Sequence, residues 1–123
     1  MPRDYLAEAQ DIIFGNKVPL AQLLETEPDK VVGNLLFAIE RSPGGMKAMI
    51  RKAAAYALGQ IGEPKSMKQL RGYYEDEPAP GVKEAMEASM TAIKLAPTPA
   101  HSQSERRQII EDVYNGRRKA DWS

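Results

Sequence analysis

The chain has 123 residues, which suits one domain with a single modest core. Its 17 basic and 17 acidic side chains balance, and a hydrophobic content of 42% is that of an ordinary soluble globular protein. Cysteine is absent, which excludes disulfides, thiol catalysis and zinc-thiolate centres, and no apolar run reaches the roughly 20 residues that span a bilayer.

The opening MPRDYLAEAQ carries acidic residues where a signal peptide has an apolar centre, so a cytoplasmic protein without membrane insertion is expected. Apolar residues never alternate with polar ones over a strand-length window, and Pro/Gly clusters punctuate the chain. The pattern predicts helices over 3–14, 18–26, 29–41, 45–61, 65–75, 80–95 and 103–115, an all-α chain forming a single domain. In 3–14, Leu6, Ala9, Ile12 and Ile13 share a side, which suits an N-terminal cap within 1–28. In 29–41, Val32, Leu35, Leu36 and Ile39 fall at helical spacing. The turn Ser42-Pro43-Gly44-Gly45 follows. In 45–61, Met46, Met49, Ile50, Ala53, Ala54, Ala57, Leu58 and Ile61 form a broad stripe, whose alanines let a neighbouring helix lie close. Gly59 and Gly62 fit tight packing and a helix end, and Pro64 suits the first turn of the next helix.

Sliding the chain by 32 residues lays Ile50, Ala53, Ala54, Ala57, Leu58 and Ile61 over Val82, Ala85, Met86, Ser89, Met90 and Ile93. The inward positions keep their type while the outward ones vary, and a shorter amphipathic helix precedes each copy. Neither two-helix unit buries its apolar faces alone, so stacking completes the core.

IRKAAAYALGQIGEP, residues 50–64, resembles the VRxAAxxALGxIGDP signature of HEAT-like repeats of the phycobilisome-lyase type. The second copy is degenerate: it lacks ALG and has Lys94-Leu95 in place of Gly-Asp-Pro. The resemblance covers about 29–95. It implies a short α-solenoid of stacked antiparallel helix pairs; outside it, the residues themselves suggest an N-terminal cap within 1–28, a 96–104 connector and a C-terminal capping helix with its tail over 105–123. The resemblance also implies that the second helix of each pair lines a concave face toward a partner. On the first such helix the outward stripe is Lys52, Tyr56 and Gln60 with Arg51 and Ala55 beside it. On the second it is Glu84, Ala88 and Ala92, with Lys83 and Glu87 adjacent. Tyr56 either anchors a partner or packs against a neighbouring repeat or the terminal helix.

Chemistry-bearing motifs are sparse. His101 is the only histidine and sits in a Pro/Ser-rich connector; Walker-type loops, Gly-x-Ser-x-Gly and metal-ligand spacings are missing. No cofactor and no catalytic residue is expected. Glu75, Asp76 and Glu77 precede a turn and read as a solvated acidic loop. Ser102 and Glu105 have the spacing of a capping box, which opens a C-terminal helix carrying Ile109, Ile110 and Val113. That helix either caps the repeats or docks on a partner. The tail places Arg117, Arg118 and Lys119 before the single tryptophan, Trp122, as a docking peptide or a frayed end.

The expected function is a non-catalytic protein-protein interaction module, a scaffold or assembly factor of a larger complex. Its partner-binding residues are Arg51, Lys52, Tyr56, Gln60, Arg117, Arg118 and Trp122. The family resemblance keeps open a subunit or regulator of a phycobilin-type chromophore lyase. Seven basic residues against one acidic residue over 41–71 keep open nucleic-acid binding, the weaker reading for a neutral domain.

Overall fold

The computed structural model describes residues 28–40 and 48–122. The expected helices 3–14 and 18–26, the turn at Ser42-Pro43-Gly44-Gly45, and Arg41, Met46 and Lys47 lie outside these residues. Among the described residues the regular secondary structure is all helix, with no strand: α1 (Pro28–Glu40), α2 (Ala48–Ile61), a 3-10 turn (Pro64–Ser66), α3 (Met67–Asp76), α4 (Pro80–Leu95) and α5 (Gln103–Tyr114).

Local chemistry sets the boundaries. Gly62 has φ +73° and donates its N–H to the Leu58 carbonyl at 3.0 Å, a left-handed end to α2 that a side chain would strain. Pro64 then opens the 3-10 turn, and the Glu63 carboxylate accepts the Lys65 N–H at 3.3 Å. Pro80 occupies the first turn of α4, where its missing N–H costs nothing. The Ser102/Glu105 capping box forms at the start of α5.

The helices pack against one another around α2. Every residue from Ala53 to Ile61 is buried, so α2 has no open side over that length. Leu35 of α1, Leu58 of α2, Leu70 of α3 and Met86 and Met90 of α4 are inaccessible to solvent. Each such side chain contributes roughly 1.5–3 kcal/mol by leaving water. A close contact joins α2 and α4, the two helices that the 32-residue shift aligns. A Cβ on Gly59 would stand 2.6 Å from Ser89 Cβ and 2.7 Å from its Cα. Gly59→Ala is therefore expected to destabilise by ~1–3 kcal/mol, outweighing alanine's ~1 kcal/mol advantage within a helix. Equilibrium urea unfolding measures it, and a neutral or stabilising result would mean that the helices separate without penalty.

Two expectations for the apolar stripe need correction. Met49 lies at the start of α2 with 66% of its surface exposed. Ala55, expected beside the outward stripe, is fully buried, because α2 is covered on more than one side.

Candidate partner-binding surface

The outward face of α2 is occupied by the chain itself. Helix α5 runs antiparallel to α2 and to α4 and lies across both. At its start, Gln103 Nε2 donates to Gln60 Oε1 at 3.4 Å and Arg106 Nε donates to the Gln60 carbonyl at 2.7 Å. At its end, Tyr114 meets Tyr56 edge to face at 6.3 Å, and Lys52 Nζ stands 5.7 Å from the Tyr114 ring centroid. Tyr56 and Gln60 are consequently buried, and Ala88 and Ala92 on the matching stripe of α4 are buried too, as is Arg51. The expectation that these residues face an open concave surface is corrected: of the α2 set, only Lys52 retains partial exposure.

Arg51 is held from another direction. Its Nε and Nη2 donate to the Glu77 carboxylate at 2.7 and 2.8 Å, with both side chains about 95% buried. Glu77 also accepts the Ala79 N–H at 3.1 Å, which ties the turn before α4 to α2. Burial opposes ionisation of Glu77. The hydrogen bonds from Arg51 and Ala79, with the charges of Arg51 and Lys83, overcome that and hold its carboxyl below the ordinary carboxylate range. The hydrogen bond to Glu77 raises the Arg51 guanidinium above its ordinary value. Glu77 is thus a buried counter-ion and not part of a solvated loop. Its one sequence signal is a carboxylate just ahead of the Pro78-Ala79-Pro80 turn.

Arg106 had no sequence signal at all. It is buried, and its Nη1 donates to the carbonyls of Ala96 and His101, each at 3.0 Å, in addition to the bond to Gln60. Gln60 and Ala96 sit at the C-terminal ends of α2 and α4, where a cation is favoured by the helix dipoles. Burial pulls its guanidinium below the ordinary value, against the charge of Glu105. The side chain packs so closely on Gly62 that any Cβ there would collide with it.

The C-terminal tail returns across α4 to α3. Arg117 and Arg118 turn back on Asp112, their backbone N–H groups reaching its carbonyl at 2.8 and 3.1 Å, and the Arg117 side chain pairs with the Asp112 carboxylate at 3.1 Å. Asp121 N–H donates to Thr91 Oγ1 at 2.9 Å, and its carboxylate pairs with Lys94 at 2.9 Å. Trp122 stacks edge-on against Tyr74 at 5.0 Å and accepts Arg71 Nη2 on its carbonyl at 2.7 Å. The expected free docking peptide is therefore corrected for Trp122, which is half-buried on its own domain; Arg117 and Arg118 remain exposed. Because Trp122 is the only tryptophan, Tyr74→Ala is expected to red-shift its fluorescence and to lower stability by ~0.5–1.5 kcal/mol. An unshifted spectrum would show that the stack does not hold the tail.

The basic run is dispersed. Arg51 is buried on Glu77 and Arg71 lies under Trp122, 5.9 Å from its ring centroid, so these two form no common open stripe with Lys65 and Lys68. Among the described residues, no group of three or more potential ligands is placed to hold a metal, and no helix is long and apolar enough to cross a membrane.

What stays open is the area beyond the end of α5. Tyr114 is 46% exposed there, beside Lys52 and a cavity of about 270 Å³ walled by α4 and the tail. Comparison with protein-family models, with curated proteins and with solved structures finds no match to this chain.

Proposed function

We propose that the chain is a non-catalytic protein-protein interaction module, a scaffold or assembly factor, and that its helices belong to a HEAT-like arrangement whose concave face is partly filled by α5. The observation that carries the reading is Tyr114. It is a large aromatic side chain at the C-terminal end of α5, half-exposed beside Tyr56 and Lys52 and next to a cavity. Tyrosine is a preferred interface anchor because it offers rigid contact area and a polar tip. The resemblance of residues 50–64 to a HEAT-like signature points the same way, since repeats of that kind expose long binding surfaces.

Tagged protein captured from its native cell is expected to retain a stable partner. Tyr114→Ala and Lys52→Glu should each reduce that capture at least severalfold while the helical circular dichroism is unchanged. Undiminished capture by both variants would sink the proposed surface, and no stoichiometric partner at all would sink the module reading.

A further inference from the structure

We propose that the cavity beyond the C-terminal end of α5 is a pocket for a basic side chain, arginine or lysine, of a partner protein, with the chain's own Arg118 as a displaceable placeholder at its rim. The inference rests on the reading of this chain as an interaction module.

The cavity has a volume of about 270 Å³, room for one long side chain. It is lined by Glu84 and Glu87 of α4, Val113 and Tyr114 of α5, and Gly116, Arg118 and Ala120 of the tail. Glu84 and Glu87 are three residues apart and so share one side of their helix. Glu87 is oriented by the Tyr74 hydroxyl, which donates to its Oε1 at 2.5 Å; its other oxygen takes no hydrogen bond among the described residues. The Tyr114 ring already has a cation, Lys52, 5.7 Å from its centroid. The carbonyl end of α5 adds a partial negative charge at the same place. Two carboxylates, an aromatic ring and a helix C-terminus all favour a cation and disfavour an anion.

Arg118 lines this cavity, and among the described residues neither it nor Glu84 forms an ion pair. Its backbone is fixed, since its N–H bonds the Asp112 carbonyl at 3.1 Å and Gly116 makes the preceding turn at φ +75°. Its side chain is exposed and can swing away. Lys83 does not line the cavity; it stands 4.9 Å from the centroid of the Tyr74 ring, whose hydroxyl bonds Glu87. The lining groups thus leave one carboxylate charge in excess, which an incoming guanidinium or ammonium would neutralise while releasing Arg118 to solvent.

The test is a heteronuclear NMR titration of the full chain with three blocked tripeptides, acetyl-Ala-X-Ala-amide, in which X is Arg, Leu or Glu. The arginine peptide is expected to shift the Val113, Gly116 and Ala120 amides saturably, with a Kd on the order of 1 mM. The leucine and glutamate peptides should leave them in place. Glu84→Gln and Glu87→Gln, which keep a hydrogen-bond acceptor, should each weaken arginine binding by about fivefold, and Arg118→Ala should tighten it by a similar factor. Unchanged α2 amide shifts verify the fold of each variant. If Glu87→Gln disturbs Tyr74, the exposed Glu84→Gln carries the test.

Failure to saturate, equal binding of the glutamate peptide, or an affinity unmoved by Glu84→Gln would each overturn the pocket. An affinity unmoved by Arg118→Ala would overturn the placeholder role. A partner captured equally well by wild type and by Glu84→Gln would remove the pocket and leave the module reading intact. Absence of any captured partner removes the module reading, in a separate experiment.

Discussion

Glu77→Ala is expected to lower the free energy of unfolding by ~3–5 kcal/mol, a large share of the ~5–15 kcal/mol typical of a domain. The substitution removes the carboxylate to which two nitrogens of Arg51 donate, in a place where both side chains are about 95% buried. A buried ion pair adds little over an apolar replacement of the whole pair, but removing one member leaves the other desolvated. The prediction therefore has a companion: replacing Arg51 and Glu77 together by Met and Leu should recover much of the loss. The contribution also depends on pH. The Glu77 carboxyl is held below its ordinary value when folded, so the unfolded chain takes up the proton first. Its stabilisation is complete above the unfolded carboxylate pKa of about 4.3 and fades as pH falls through the lower folded value. Urea midpoints should show the wild type losing more stability between neutral and acid pH than Glu77→Ala does. Equal losses would mean that the pair does not govern the acid limb.

Arg106→Met should cost ~2–4 kcal/mol, for a different reason. Methionine fills similar space but leaves the carbonyls of Gln60, Ala96 and His101 without the donor that gathers them. An unsatisfied buried carbonyl costs ~1–3 kcal/mol, reduced where water reaches it. Arg106→Lys should recover only part of this, because an ammonium lacks the planar fork that reaches separate acceptors. The acceptors are backbone dipoles and do not titrate, so the loss should be the same at acid and neutral pH, in contrast to Glu77→Ala. Amide exchange offers a local reading. Thr98 N–H bonds the Gly62 carbonyl at 3.0 Å beside the guanidinium, and its protection should fall with the variant. Retained protection together with unchanged stability would show that water replaces Arg106 at no cost.

Helix positions were legible in the chain because their signals are local. Periodicity marked α1 to α4, Gly62 and Pro64 marked the end of α2, and Ser102 with Glu105 marked the start of α5. The inward residues of the 32-residue shift were legible as well: Ala53, Ala54, Ala57 and Leu58 and their counterparts Ala85, Met86, Ser89 and Met90 are all buried. The candidate site was not. Arg51, Tyr56 and Gln60 occupy outward positions by helical count, and a count of one helix says nothing about a second helix arriving on Tyr56 and Gln60 from more than 40 residues away, or about Glu77 reaching Arg51 from 26 residues on.

The sequence by itself determined an all-helical chain, its cuts, and which side of each helix is apolar, because 3.6-residue spacing and capping chemistry act within a few residues. Only the tertiary structure decided that α5 would cover the polar face of α2, that Glu77 and Arg106 would become buried partners of distant groups, and that Trp122 would fold back on Tyr74. Those outcomes depend on which surfaces meet. A polar side chain becomes a core residue when another segment brings it a partner and takes its water away.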